Sequence, residues 1–438
     1  MRLGDVVIDV GPLRAAPEFR FVLAAQAISM LGTHLTVVAV NLQVYQLTGS
    51  SLQVGAVGLV FAVALLVGIL SGGVVADRAD RRMIAVATRA AVVVVFVGLA
   101  VNAALPAPHL WVVYAAAVLA GGINGLGAPA LMALVPALVG PERLAAAAAL
   151  TALSIQCGAV IGPVLAGVIA AGPGLAVCFA LDALCFVISA VLLCLLTPVP
   201  PPDIAEDRHP IRSIVEGLSF VRRDRVVGGV LLIDTLAMAT AMPYALFPEL
   251  ASEHFGGGPQ TVGLLYSAPA VGALFAAFVS GWAGRVRETG VVLIGAVLVW
   301  GVAIACVGLT ASLWVALAAL VFAGLADTTS EILRRALIQQ RTPDRLQGRV
   351  AGLWLAQGTV TPNVGNMAAG VLARFLPAPV VPVIGGLLCV VAVTTLSLRM
   401  PGLRRARLSS SVDPRAVDAD SYPREDAAAP DHLGGERI

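Results

Sequence analysis

An all-α polytopic membrane protein of twelve transmembrane helices is the fold class this chain predicts, and three observations carry the prediction. Apolar residues make up 58% of the 438 positions and charged residues only 12%. Mean hydropathy is +0.91. The apolar residues fall into long runs set apart by Arg clusters and Pro/Gly breaks. Because a crossing helix needs roughly 20 apolar residues, a chain of this length holds about twelve crossings joined by short loops. High hydropathy with a net charge of only +2 excludes a disordered chain. The uninterrupted runs exclude an outer-membrane barrel, whose strands alternate with period two.

Taken in order, the runs predict helices over 19–46, 52–76, 83–105, 110–134, 144–171 and 175–196, which form an N-terminal bundle over residues 1–197. A second set, 225–250, 260–284, 289–310, 313–338, 344–373 and 379–398, forms a C-terminal bundle over residues 225–400. Between them, residues 198–224 begin with Pro198, Pro200, Pro201, Pro202 and Pro210, which forbid a helix. Ile211, Ile214, Val215 and Leu218 then recur at helical spacing among Arg212, Arg222 and Arg223. That pattern predicts a cytoplasmic hinge ending in an interfacial helix on the inner membrane surface. Residues 401–438 carry six Arg, seven acids and few large apolar side chains, the composition of a disordered tail.

Orientation follows from the arginines. All 28 basic residues are Arg, and with the N-terminus inside, the predicted outer loops contain only Arg374. The positive-inside rule then places both termini in the cytoplasm of a protein of the inner (plasma) membrane. Residues 1–18 carry Asp5, Asp9 and Glu18 and lack the apolar core of a signal peptide. Six cysteines lie inside apolar runs without Cys-x-x-Cys spacing, as small buried hydrophobes do. No metal site and no cofactor is expected.

The two halves repeat each other. Val54-Gly55 leading to Ser71-Gly72 is echoed by Val262-Gly263 leading to Ser280-Gly281, and Pro141-Glu142-Arg143-Leu144 by Pro343-Asp344-Arg345-Leu346. Parallel repeats of this kind build carriers whose two bundles rock about a central site.

Between the second and third helices the chain reads Gly73-Val74-Val75-Ala76-Asp77-Arg78-Ala79-Asp80-Arg81-Arg82. A small residue at a helix end admits a close neighbour, a carboxylate can meet a helix N-terminus or an Arg, and three Arg hold the loop at the inner lipid surface. This loop resembles the Gly-x-x-x-Asp-Arg-x-Gly-Arg-Arg signature of the major facilitator superfamily, with Asp80 where many members have Gly. The resemblance implies that Gly73, Asp77, Arg78, Arg81 and Arg82 form a gating loop that latches the two bundles. The second-half copy, Gly281-Trp282-Ala283-Gly284-Arg285, has lost the acid.

The fifth helix contains Gly158, Gly162, Pro163 and Gly167. Glycines four apart let helices pack backbone to backbone, and a proline removes a helical hydrogen bond. Small residues also recur at Gly68/Gly72 and Gly121/Gly125, where plain helix packing accounts for them. The Gly-Pro step here is similar to the antiporter motif of the superfamily, which implies export. Residues 19–29, 71–82, 136–144, 209–220 and 342–354 resemble the enterobactin-exporter group of the superfamily.

Ionisable residues deep in apolar runs are costly and are candidates for function. In the superfamily the first, fourth, seventh and tenth helices line the cavity, so the resemblance implies a proton or substrate pathway through His34, Asn124, Asp234 and Asp327. Each could equally be a structural group bonded to a neighbouring helix. Asn124 does not titrate and is open only to a substrate contact. Glu331 precedes Arg334 and Arg335 by three and four residues, the spacing of an intrahelical ion pair. Asp182, on the peripheral sixth helix, reads as structural.

Together these readings predict a secondary active transporter: proton-coupled export of a siderophore or similar small molecule by alternating access, with a broad-specificity drug efflux antiporter as the alternative. The expected partners are the small-molecule substrate, protons and the lipid bilayer, without nucleic acid, and the resemblance implies a monomer. An enzyme is not expected. The five His include no pair at i and i+4, and no Gly-x-x-x-x-Gly-Lys phosphate loop can exist in a chain without Lys.

Overall fold

In the computed structural model, residues 11–76, 78–198, 210–279, 286 and 288–407 are described. Among the described residues twelve long helices dominate and there is no strand. They are α1 (Pro17–Thr48), α2 (Ser51–Ala76), α3 (Arg81–Ala104), α4 (Leu110–Val139), α5 (Leu144–Ala171) and α6 (Leu175–Cys194). After the hinge come α7 (Arg225–Thr240), α8 (Pro259–Val279), α9 (Thr289–Leu309), α10 (Leu313–Arg341), α11 (Asp344–Leu372) and α12 (Val380–Arg399). Among the described residues, eleven helices are long and apolar enough to cross a membrane. The remaining long helix is α11, whose mean hydropathy is lowered by Asp344, Arg345 and Arg349 at its start and by Gln357, Asn363 and Asn366 along its length. Large apolar side chains such as Val94, Phe278, Phe322 and Val391 point outward on the membrane-facing surface.

Helix ends obey local chemistry. Pro17 opens α1, where a missing N–H is harmless, and α1 closes on Gly49, whose positive φ of 57° directs its N–H to the Tyr45 carbonyl. Asp80 caps α3 by accepting from the Arg82 N–H at 2.8 Å. Asp224 caps α7 by accepting from the Val226 and Val227 N–H groups at 2.8 and 3.0 Å.

Within the first half α2 packs on α4, α1 on α5 and α6, and α3 on α4 and α6. Gly68 and Gly72 meet the α4 backbone near Gly125 and Leu126, while Gly121 and Gly125 meet the α2 backbone at Phe61 and Leu65. In the second half α8 packs on α10, α9 on α10 and α12, and α7 on α11 and α12. The halves meet through α5 against α8 and α2 against α11. The repeated glycines sit at these two seams: Gly55 lies on the backbone of Asn366 and Met367 in α11, and Gly263 on that of Pro163 and Gly167 in α5.

Three features differ from the expectation. The span predicted as one helix over 225–250 breaks after Thr240, continues as a 3-10 turn at Tyr244–Leu246 and ends in a π turn at Leu250–His254. Pro243 and Pro248 each withhold a helical N–H, and the Ala245 N–H finds Asn366 Oδ1 at 3.2 Å instead. Pro129 and Pro136 do not stop α4, which runs on to Val139. The boundary drawn at residue 401 falls inside packed structure, because Leu403 is buried and Gly290 donates its N–H to the Ala406 carbonyl at 3.0 Å. The helix Pro210–Arg223 rests on the start of α11, where Glu216 pairs with Arg349 and Gly217 lies against Leu353. Asp77, most of the hinge, the second-half loop over 280–285 and the tail from residue 408 lie outside the described residues.

Candidate functional site

Among the described residues, two cavities are found between the halves. The larger, about 870 Å³, is bounded by α1, α5, α8 and α10 and includes His34, Gln156, Trp300, Asp327, Glu331 and Arg335. It extends towards the start of α5 and the end of α10, as Ala152, Ala336 and Gln339 line it there. The smaller, about 350 Å³, lies among α1, α2, α4 and α11 and includes Asn41, Phe61, Asn124, Asn363 and Asn366. Val37, Tyr244 and Tyr266 line both and form the wall between them.

The opposite end is closed by contacts between halves. Tyr45 donates its hydroxyl to Glu253 Oε1 at 2.8 Å, and Ser51 donates to Glu249. Asn41 Nδ2 donates to the Tyr266 hydroxyl at 2.6 Å, which in turn donates to the Tyr244 carbonyl at 2.6 Å. Gly370 lies on the Ser51 and Leu52 backbone, as Gly55 does on α11. Aromatic edges stiffen this wall, with Phe247 and Tyr266 ring centres 4.9 Å apart.

Of the four pathway candidates, His34 and Asp327 share the larger cavity, and Asn124 lines the smaller one with its Nδ2 donated to the Ala120 carbonyl at 2.9 Å. Asp234 lines neither cavity. It is 4% exposed and pairs through Oδ1 with Arg334, while Oδ2 accepts from Gln357 Nε2 at 2.9 Å. Arg334, also buried, reaches Asp327 at 3.5 Å, so one guanidinium joins an acid of α7 to an acid of α10. The ion pair expected of Glu331 within α10 is present with Arg335, and Arg334 goes instead to Asp234 and Asp327. Arg335 holds Glu331 at 3.4 Å and stacks over Trp354 at 4.8 Å, while Arg334 turns inward because a buried carboxylate attracts it more strongly than an exposed one.

Sequence reasoning missed Arg334 and Gln357 as partners of Asp234. A signal for Arg334 was present, since Asp327 and Arg334 stand seven apart and share one helix face. Gln357 gave none, because its contact with Asp234 spans 123 residues.

The Gly-Pro stretch divides its work. Gly158 and Gly162 press on α1 at Met30, Leu31 and His34, whereas Gly167 presses on α8 at Pro259 and Gln260. Pro163 lines the larger cavity. Near the end of α2 a Cβ on Gly73 would meet no neighbour, while in the loop before α3 Arg78 is exposed, and Arg82 donates to the Leu193 carbonyl at 3.4 Å and to the Cys194 carbonyl at the end of α6.

Comparison with known proteins agrees with this architecture. Residues 9–424 match the family model described as Transmembrane secretion effector. The chain is 32% identical over 401 residues to the Enterobactin exporter EntS of Citrobacter koseri, covering 92% of this chain and 96% of that one. It is 32% identical over 416 residues to the Enterobactin exporter EntS of Shigella boydii, covering 95% and 99%. Among solved structures, a POT family transporter in complex with a thioalcohol conjugated peptide superposes with a TM-score of 0.70 at 13% identity, covering 88% of this chain and 96% of that one. The nucleoside transporter NupG superposes with a TM-score of 0.70 at 10% identity, covering 89% and 100%. At such identities the structural likeness concerns the fold alone.

Proposed function

The chain belongs to the transmembrane secretion effector family of the major facilitator superfamily, a family of membrane transporters rather than enzymes, and we propose that it exports a siderophore or similar small amphipathic molecule from the cytoplasm in exchange for protons. The carrying observation is the one-sided cavity, open beside the start of α5 and the end of α10 and sealed by Tyr45, Ser51, Glu249 and Glu253 at the other end. With both termini in the cytoplasm, a reading that the distribution of Arg supports, the open end faces inward and admits a cytoplasmic substrate.

Residues 1–197 and 225–400 act as the two rocking bundles, joined by the hinge over 198–224. The seams at Gly55 and Gly370 on one side and Gly167 and Gly263 on the other are where they slide. His34, Asp327 and Asn124 meet substrate or protons, and Asp234 takes part through the Arg334 it shares with Asp327. A proton taken up at Asp327 would remove one of the two charges that hold Arg334 and leave Asp234 of α7 as its remaining partner. Gly73, Asp77, Arg78, Arg81 and Arg82 gate the inner side, and the packing of Gly158, Gly162, Pro163 and Gly167 supports exchange over uniport. Each proton entering yields ~2.3 kcal/mol per 100 mV, enough to drive an uphill step.

The mostly apolar lining of the larger cavity, Trp300, Ile304, Leu320 and several alanines, favours as a second reading a broad drug efflux antiporter. Uptake into inverted membrane vesicles tests both, using iron-free enterobactin and a cationic dye in parallel, each with and without an imposed proton gradient. Gradient-dependent enterobactin accumulation without dye uptake is the expected result. Dye uptake alone overturns it in favour of drug efflux, and gradient-independent flux overturns proton coupling.

A further inference from the structure

Asp182, on α6 away from both cavities, is fully buried. Its carboxyl presses against Gly32 of α1 so closely that any larger residue there would collide with it. Neither oxygen has a hydrogen bond. Thr36 Oγ1 faces the carboxyl without reaching hydrogen-bond geometry, and Arg89 of α3 is the nearby cation, its guanidinium held 4.9 Å over the Phe186 ring with Nε unpartnered. Gln43, seven residues beyond Thr36 on α1, and Ser189, seven beyond Asp182 on α6, are also buried and unpartnered, so orphan polar atoms follow this interface in both directions.

Among the described residues, the other acid buried in the spans is handled differently. Asp234 touches Arg334 and Gln357 and is neutralised by direct contact. An ionised carboxylate without hydrogen bonds in an apolar surround costs several kcal/mol, so a group kept this way is one whose charge is intermittent. Thr36 also lines the smaller cavity, which gives the carboxyl a hydroxyl neighbour on the side of that cavity.

We propose that Asp182 is a proton-binding site of the first half, taking its proton by way of Thr36 from the smaller cavity when the outer end opens, carrying it as that end closes, and losing it when α1 moves against α6. On release the carboxyl O–H bond breaks, the proton passes to water on the inner side, and the carboxylate left behind is balanced by Arg89. The charged and titratable groups facing it are few. Arg89 comes from α3 and Cys185 from α6 itself. From α1 no charge faces it, because His34 packs against Gly162 and lines the larger cavity. α5 carries no charged residue. This site goes beyond the export reading and adds a proton carrier to the half that lacks the Asp234–Arg334–Asp327 cluster.

Infrared difference spectra of the full-length protein in lipid, taken between neutral and alkaline pH, read the C=O stretch of protonated carboxyls and need no substrate. The expected result is a protonated-carboxyl band that Asp182→Asn removes, Asp182→Glu shifts, and Asp234→Asn leaves in place. An unchanged band in Asp182→Asn, with the Asp182→Glu band also unmoved, overturns the proposal. In vesicles, Asp182→Asn is expected to forfeit the ~50-fold accumulation that one proton per 100 mV sustains, while exchange of iron-free enterobactin without a gradient persists. Retained gradient-driven accumulation in Asp182→Asn overturns the proposal. Absence of enterobactin flux in the unaltered protein overturns the export reading instead and leaves the infrared comparison to decide Asp182.

Discussion

Replacing Asp234 by Asn isolates the worth of the buried ion pair. The substitution keeps the size of the side chain and leaves an oxygen for Gln357, so the Gln357 contact at 2.9 Å survives and the loss is electrostatic. Arg334, with a side chain only 5% exposed, would then retain a single acid, Asp327, at 3.5 Å, itself 36% exposed and so a weaker partner. Removing one member of a buried pair costs ~3–5 kcal/mol, and the remaining acid puts Asp234→Asn near ~3 kcal/mol. At roughly 2.1 cal/mol/K of unfolding entropy per residue, that lowers the melting temperature by ~3 °C. Tryptophan fluorescence during thermal unfolding in detergent is the assay, and the double variant Asp234→Asn with Arg334→Gln is the control. Because the double variant leaves no unpaired buried charge, it should be more stable than the single one. If Asp234→Asn melts with the unaltered protein, or if the double variant is the less stable, the pair does not hold α7 to α10 in the way described.

Gly55→Leu should force the outer seam apart, because even a Cβ there would stand 2.8 Å from the Asn366 carbonyl. Labelling of Asn41→Cys from outside, in a background without the native cysteines, should rise several-fold, and unchanged labelling would show that the seam absorbs the side chain. Tyr45→Phe removes one hydroxyl donor to Glu253 at the solvent-accessible edge. Its effect should be ~1 kcal/mol or less, read as a modest rise in the same labelling, and a loss of all labelling would mean that Tyr45 props the end open.

The number and order of the helices and the glycines that mark the repeat were legible in the sequence because each depends on residues near one another in the chain. Twenty apolar residues in a row prefer lipid whatever surrounds them. Pro243 and Pro248 were equally visible, yet the break they cause became a turn towards α11 only because Asn366 stands there to accept the Ala245 N–H. Charge compensation was not legible in the same way. Asp182 and Asp234 look alike in sequence, single acids in apolar runs. Folding gives Asp234 a guanidinium from a residue 100 positions away, and leaves Asp182 against Gly32 with no hydrogen bond. Hydropathy is summed along a segment, whereas the energy of a buried charge is set by what the neighbouring helices place within a few ångströms of it. The sequence by itself determined that this chain crosses a membrane in two similar halves, and only the packing of those halves decided which of its buried acids is neutralised by contact.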